Sequence, residues 1–129
     1  GLPPMLRALK LQKRAARVGF DWPKIDQVLD KMREEAEELA VELASENKDQ
    51  TRIQDEVGDL LFVAVNLARK AGVDPETALQ SCNLKFENRF RYVEEQVVLK
   101  HKSFNDVSLE VMEEYWQDAK ILERSTRSD

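Results

Sequence analysis

Two short acidic patterns hold the residues most able to do chemistry. One is Glu34-Glu35-Ala36-Glu37-Glu38; the other, Glu56-Val57-Gly58-Asp59, opens eighteen positions after Glu38. Both contain a step of three, Glu35 to Glu38 and Glu56 to Asp59. On a helix, residues three apart share a face about one turn up. If two such helices lie side by side, four carboxylates converge on one volume. Oxygen-rich anionic sites of that kind hold hard divalent cations such as magnesium. Packed carboxylates with no cation must shift their pKa values instead. The competing reading is a solvated charged helix face, the ordinary role of helical acids, and it suits Glu34, Glu37 and Glu42 best. It suits Glu56 least, because Glu56 falls within the apolar stripe of its own helix, a costly place for a lone carboxylate.

Other side chains admit two readings each. Lys85 and Arg89, one helical turn apart, form either a solvated basic flank or a pair of cations for a phosphate chain. Asn83 falls on the apolar stripe of its segment, near Leu79 and Phe90, and a buried amide there needs hydrogen-bond partners. Trp22, Tyr92, Tyr115 and Trp116 can stack on a base, although aromatic residues at such positions more often fill a core. Cys82 reads as a small core residue and His101 as a surface residue in a polar connector. With one histidine in the chain, the paired Glu-x-x-His sites of ferritin-like bundles cannot be built. Neither Walker nor Rossmann glycine pattern occurs, so a nucleotide would be held by metal and side chains. Gly58 sits inside a helical pattern beside the acids, either merely tolerated or leaving room for a close approach.

The elements that must position these residues read as helices. The chain has 129 residues, room for one domain, and only four Gly and four Pro, which leaves few loops. A first helix is expected from Pro4 to about Arg17, stopping at Val18-Gly19. Pro23 is placed to start a second, with Ile25, Val28, Leu29, Met32, Ala36, Leu39 and Leu43 recurring at helical spacing. After the polar break around 46–50, a third helix carries Ile53, Val57, Leu60, Leu61, Ala64, Leu67, Ala68 and Ala71. Gly72 stops it, and Asp74-Pro75 caps a fourth running to about Leu99 on Leu79, Cys82, Phe86, Phe90, Val93 and Val97. Ser108 caps a last helix, and the polar end from Arg124 to Asp129 should fray. The expectation is an all-α bundle of four to five helices in a single domain spanning 1–129. Phe62 lies opposite the main stripe of its helix and needs a second surface, which suggests a dimer.

Bulk properties exclude some classes. A net charge of −5 argues against a nucleic-acid binder. No apolar run reaches the length needed to cross a bilayer and no signal peptide opens the chain, so no membrane partner is expected. A lone cysteine fits a reducing, cytoplasmic setting. The chain starts at Gly1, as an excised piece of a longer protein would.

Together, Glu34-Glu35-x-x-Glu38 and Glu56-x-x-Asp59 running into Leu60-Leu61-Phe62 resemble the signature of the all-α nucleoside triphosphate pyrophosphohydrolases. Within that superfamily the chain most resembles the MazG family, in particular the catalytic C-terminal repeat of the long bacterial form. Flanking matches are Gln12 to Ala16, Val18 to Trp22, Val65 to Arg69, and Asn83-x-Lys85-Phe86-Glu87-x-Arg89-Phe90. The resemblance implies magnesium-dependent hydrolysis of a nucleoside triphosphate to the monophosphate and pyrophosphate, with manganese as a substitute ion. It makes Glu35, Glu38, Glu56 and Asp59 the metal ligands and gives Glu34 a role with the attacking water. Lys85 and Arg89 would meet the triphosphate, and Lys31, Asn83 and Trp116 the nucleotide. It also implies an intertwined homodimer and a missing N-terminal repeat as a partner. A narrow-substrate relative, acting on one deoxynucleoside triphosphate or on phosphoribosyl-ATP, and a non-catalytic helical dimerisation module remain the alternatives.

Overall fold

The structure, a computed structural model, describes residues 1–127. Five α-helices follow in chain order: α1 (Pro4–Arg17), α2 (Ile25–Ala44), α3 (Gln50–Lys70), α4 (Pro75–Lys100) and α5 (Leu109–Arg127). No strand occurs among the described residues, so the all-α expectation holds. No helix among them is long and apolar enough to cross a membrane. The chain divides into two compact units, residues 1–78 and residues 79 onward.

In the first unit α3 packs against both α1 and α2. The helix ends follow from local chemistry. Gly19 and Gly72 adopt positive φ, +88° and +74°, directly after the caps of α1 and α3. Each closes the same Schellman motif: Phe20 N–H donates to the Ala15 carbonyl and Gly19 N–H to that of Ala16, while Val73 donates to Ala68 and Gly72 to Arg69. Asp49 caps α3, its Oδ1 accepting from Thr51 N–H at 2.9 Å. Asp74 does the same for α4, accepting from Glu76 N–H at 3.2 Å. Pro23 does not start α2 as expected. Lys24 is the N-cap, and Gln27 Oε1 reaches back to its N–H at 3.4 Å.

Leu9, Val28, Val63 and Val65 form the buried apolar set of this unit. Val28 is wholly buried, and a buried valine stabilises by about 1.5–3 kcal/mol. Two polar contacts fix the packing. The buried Gln12 of α1 donates from Nε2 to the Phe62 carbonyl of α3 at 2.9 Å. Asp21, in the α1–α2 connector, accepts from Arg69 and lies 3.3 Å from Lys70. Arg69 Nε in turn donates to the Oδ1 of buried Asn66 at 2.9 Å.

The stripe predicted for α3 is not its most buried face: Ile53, Leu60, Leu67 and Ala68 of that stripe are half-buried and none of its residues is fully buried. Val63, Val65 and Asn66 are buried, whereas Val57, Leu61 and Ala64 are exposed. Phe62, expected to need a second surface, is 45% exposed in the single chain.

In the second unit the later half of α4 packs with α5 around Val93, Val97, Val107 and Tyr115, flanked by Tyr92, Val111, Met112 and Trp116. Phe104–Asp106 form a short 3-10 turn that periodicity did not indicate. Ser108 caps α5 as expected, its Oγ accepting from Val111 N–H at 3.2 Å. Two readings on α4 are corrected. The sequence pattern puts Cys82 and Asn83 on a buried stripe, yet both are exposed, as is every residue from Leu79 to Asn88, although Phe86 meets the Trp116 ring of α5. The fraying expected from Arg124 meets a helix that continues to Arg127; residues 128 and 129 lie outside the described residues. His101 is not a plain surface residue either: its Nε2 lies 2.8 Å from the Tyr115 hydroxyl.

Candidate metal centre

The packing of α2 on α3 brings the two acidic patterns together. Carboxylate oxygens of Glu35, Glu38 and Glu56 all lie within 4.8 Å of one another. A second trio, Asp55, Glu56 and Asp59, meets the same limit and shares Glu56 with the first. The four predicted acids thus fall into two groups that share Glu56, one across α2 and α3 and the other on α3 alone. Asp55 is the member that sequence reasoning passed over. Its signal was available, since Asp55 and Asp59 stand one turn apart on the helix that carries Glu56.

Solvation and charge make this a strained place for anions. Glu35 is 6% exposed, and one oxygen each of Glu35 and Glu56, Oε2 in both cases, is buried with no hydrogen-bond partner. Loss of water around its carboxyl, then the charge of Glu35, pushes Glu38 above the usual carboxylate range. Glu56 is raised by the same loss of water and then by Glu38. Asp59 is raised by desolvation, then by Asp55 and Glu35. The proton favours the neutral form in each case, because like charges have been packed together without enough solvent. The bland alternative of a freely solvated acidic face does not produce buried, unpartnered carboxylate oxygens.

One cation already meets the cluster. Lys31 Nζ lies 3.2 Å from Glu35 Oε1 and 3.3 Å from Glu34 Oε1. Its pKa is raised, by the Glu35 contact first and Glu34 second. A single ammonium at one edge leaves Glu38 and Glu56 with no ion-pair partner among the described residues, and its charge only partly offsets the crowding at Asp59. The donor set, hard carboxylate oxygens with no nitrogen or sulfur among them, fits a hard divalent cation.

The remaining predicted residues belong to the second unit. Lys85 and Asn83 are exposed on α4. Arg89 is largely covered and held by Glu123 of α5, through Nε at 3.0 and 3.2 Å and Nη2 at 3.0 Å. Its guanidinium carbon stands 5.6 Å from the centre of the Trp116 ring. Separately, in the first unit, a cleft of about 520 Å³ opens between α1, the connector and α3, walled by Phe20, Trp22 and Phe62. It includes none of the acids of either trio.

The family profile described as phosphoribosyl-ATP pyrophosphohydrolase matches residues 5–85, which covers α1 to α3 and both acidic patterns. The chain belongs to this MazG-like pyrophosphohydrolase family. It is 49% identical over 122 residues to a nucleoside triphosphate pyrophosphohydrolase of Escherichia coli, covering 95% of this chain and 46% of that protein. It is 39% identical over 119 residues to the nucleoside triphosphate pyrophosphohydrolase/pyrophosphatase MazG of Thermotoga maritima, covering 92% of this chain and 45% of that one. The chain therefore spans about half the length of the curated relatives it matches.

Proposed function

We propose that this chain hydrolyses nucleoside triphosphates to nucleoside monophosphates and pyrophosphate with magnesium as its cofactor. The observation that carries the reading is the approach of Glu35, Glu38 and Glu56 to within 4.8 Å, with a buried oxygen on each of Glu35 and Glu56 that no protein group satisfies. Relatives named for this activity supply the substrate class.

Hydrolysis adds one water across the bond between the α and β phosphates. The protein needs to neutralise charge, align the water and hold the polyphosphate, and it takes no covalent part. Glu35, Glu38, Glu56 and Asp59 would hold the ion. Bound there, a divalent cation supplies charge neutralisation at phosphate oxygens and a more acidic water. Glu34, beside these ligands and in contact with Lys31, would orient the attacking water or take its proton. Lys31 would pass from the acids to the nucleotide once a divalent ion compensates Glu35. Lys85 and Arg89 would supply positive charge to the triphosphate, with Asn83 and Trp116 as further nucleotide contacts. We also infer a homodimer, because Leu61 at 61% and Phe62 at 45% exposure leave an apolar flank of α3 uncovered. A cytoplasmic setting suits the exposed thiol of Cys82.

Phosphoribosyl-ATP stands as a second substrate, favoured by the family profile. The test is one panel: purified protein with each nucleoside triphosphate, deoxynucleoside triphosphate or phosphoribosyl-ATP, with and without magnesium, and pyrophosphate measured. Release from several triphosphates only with magnesium supports the reading. Release from one substrate alone replaces it with a narrow specificity. No release from any of them favours a helical dimerisation module whose acids are structural.

A further inference from the structure

We propose that Glu123 is a positioning residue that holds Arg89 for a polyphosphate oxyanion. This rests on the reading above that Arg89 meets phosphate, and it adds a residue that neither the acidic patterns nor their flanking motifs contain. Glu123 lies thirty-four positions from Arg89, on a different helix, and both of its carboxylate oxygens engage the guanidinium.

The geometry sets what remains available. A guanidinium carries five N–H donors in a fixed plane, and Glu123 occupies the edge formed by Nε and one Nη2 hydrogen, leaving three, two of them on the far edge. Among the described residues no acceptor meets Nη1. The far edge, formed by Nη1 and Nη2, is the one that takes a phosphate with two parallel hydrogen bonds. Trp116 fixes the plane from one face, its ring 5.6 Å from the guanidinium carbon. Trp116 is itself braced by Phe86, 5.2 Å away between ring centres, and Phe86 stacks on Phe90 at 5.8 Å. An arginine side chain loses much rotamer freedom when ordered. Here the carboxylate and the indole impose that order in advance, so an incoming anion would meet a donor edge already oriented. The Arg89 side chain is 15% exposed and that of Glu123 29%, so the pair is shielded enough for its hydrogen bonds to matter.

The experiment uses inorganic tripolyphosphate with magnesium as the probe, read by Trp116 fluorescence in a Trp22→Phe background that leaves one indole. Wild-type geometry should give a saturable change in emission. Glu123→Ala should raise the dissociation constant about tenfold, and Glu123→Gln, whose amide oxygen still accepts from Nε, about threefold. In an Arg89→Ala protein, adding Glu123→Ala should change it less than twofold, because Glu123 acts through Arg89. Circular dichroism checks that each variant folds, and the glutamine variant keeps the test open if the alanine variant does not. Unchanged affinity in both variants overturns the proposal. So does tighter binding, which would make Glu123 a competitor for Arg89, or an equal loss with Arg89 absent, which would make its role structural. Absence of tripolyphosphate binding to the parent protein overturns it too, whereas failure of the general reading shows separately, as no pyrophosphate release in the substrate panel.

Discussion

Replacing Glu56 by Gln keeps the shape of the side chain and removes the charge that both acid trios share. In the metal-free protein this should relieve repulsion, because Glu56 sits within 4.8 Å of Glu35 and Glu38 in one trio and of Asp55 and Asp59 in the other. The melting temperature without metal should therefore stay level or rise. Magnesium should then stabilise the wild type far more than the variant. An ion bound only to the folded state at a hundred times its dissociation constant adds about 2.7 kcal/mol. For 129 residues the unfolding entropy gives about 4 °C per kcal/mol, hence a rise of about 10 °C for the wild type. Glu56→Gln should lose most of that rise. The assay is differential scanning calorimetry across a magnesium series, with calcium and sodium chloride as controls for charge screening. An unchanged wild-type melting curve at millimolar magnesium would refute the reasoning, as would a full magnesium rise in Glu56→Gln.

Further outcomes follow from the same geometry. The magnesium-induced rise should shrink as pH falls into the range where the elevated Glu38, Glu56 and Asp59 bind protons, since the ion must then displace them. The metal-free protein has the opposite trend: its folded state holds these protons more tightly than the unfolded chain does, so stability falls as pH rises through the elevated values. Asp21 runs the other way. Its hydrogen bond from Arg69 lowers its pKa, so its contribution is present above the unfolded value of 3.8 and lost as pH falls through the folded one; Asp21→Asn should cost up to about 1 kcal/mol at neutral pH, seen by urea titration. Glu35→Gln should abolish magnesium-dependent pyrophosphate release with circular dichroism unchanged. Val28→Ala, at a wholly buried site, should cost about 2 kcal/mol in a urea melt.

Helix existence was readable because α1, α3, α4 and α5 each announce an end: Gly19, Gly72, Asp74 and Ser108 all sit where their backbone or capping chemistry predicts. Pro23 misled because a proline at the start of a helix and one just before its cap look alike in sequence. Burial was harder to read. Helix α3 is apolar around much of its circumference, and periodicity cannot say which side the α1 and α2 partners take. Neighbours chose the face of Val63, Val65 and Asn66, the last affordable only because Arg69 satisfies its carbonyl. Cys82 and Asn83 failed for the same reason in reverse, since the first half of the α4 stripe is left exposed among the described residues. At the acid cluster the step of three found Glu35, Glu38, Glu56 and Asp59, but not Asp55, whose share depends on rotation about α3. Glu123 was out of reach, since a contact between α4 and α5 leaves no periodic trace.

The most direct measurement is a crystal soaked in manganese, with anomalous scattering used to find the ion. The account predicts a peak bounded by carboxylate oxygens of Glu35, Glu38 and Glu56, with Asp59 within reach of it or of a neighbouring ion. Well-ordered side chains at that position and no manganese between them would contradict it.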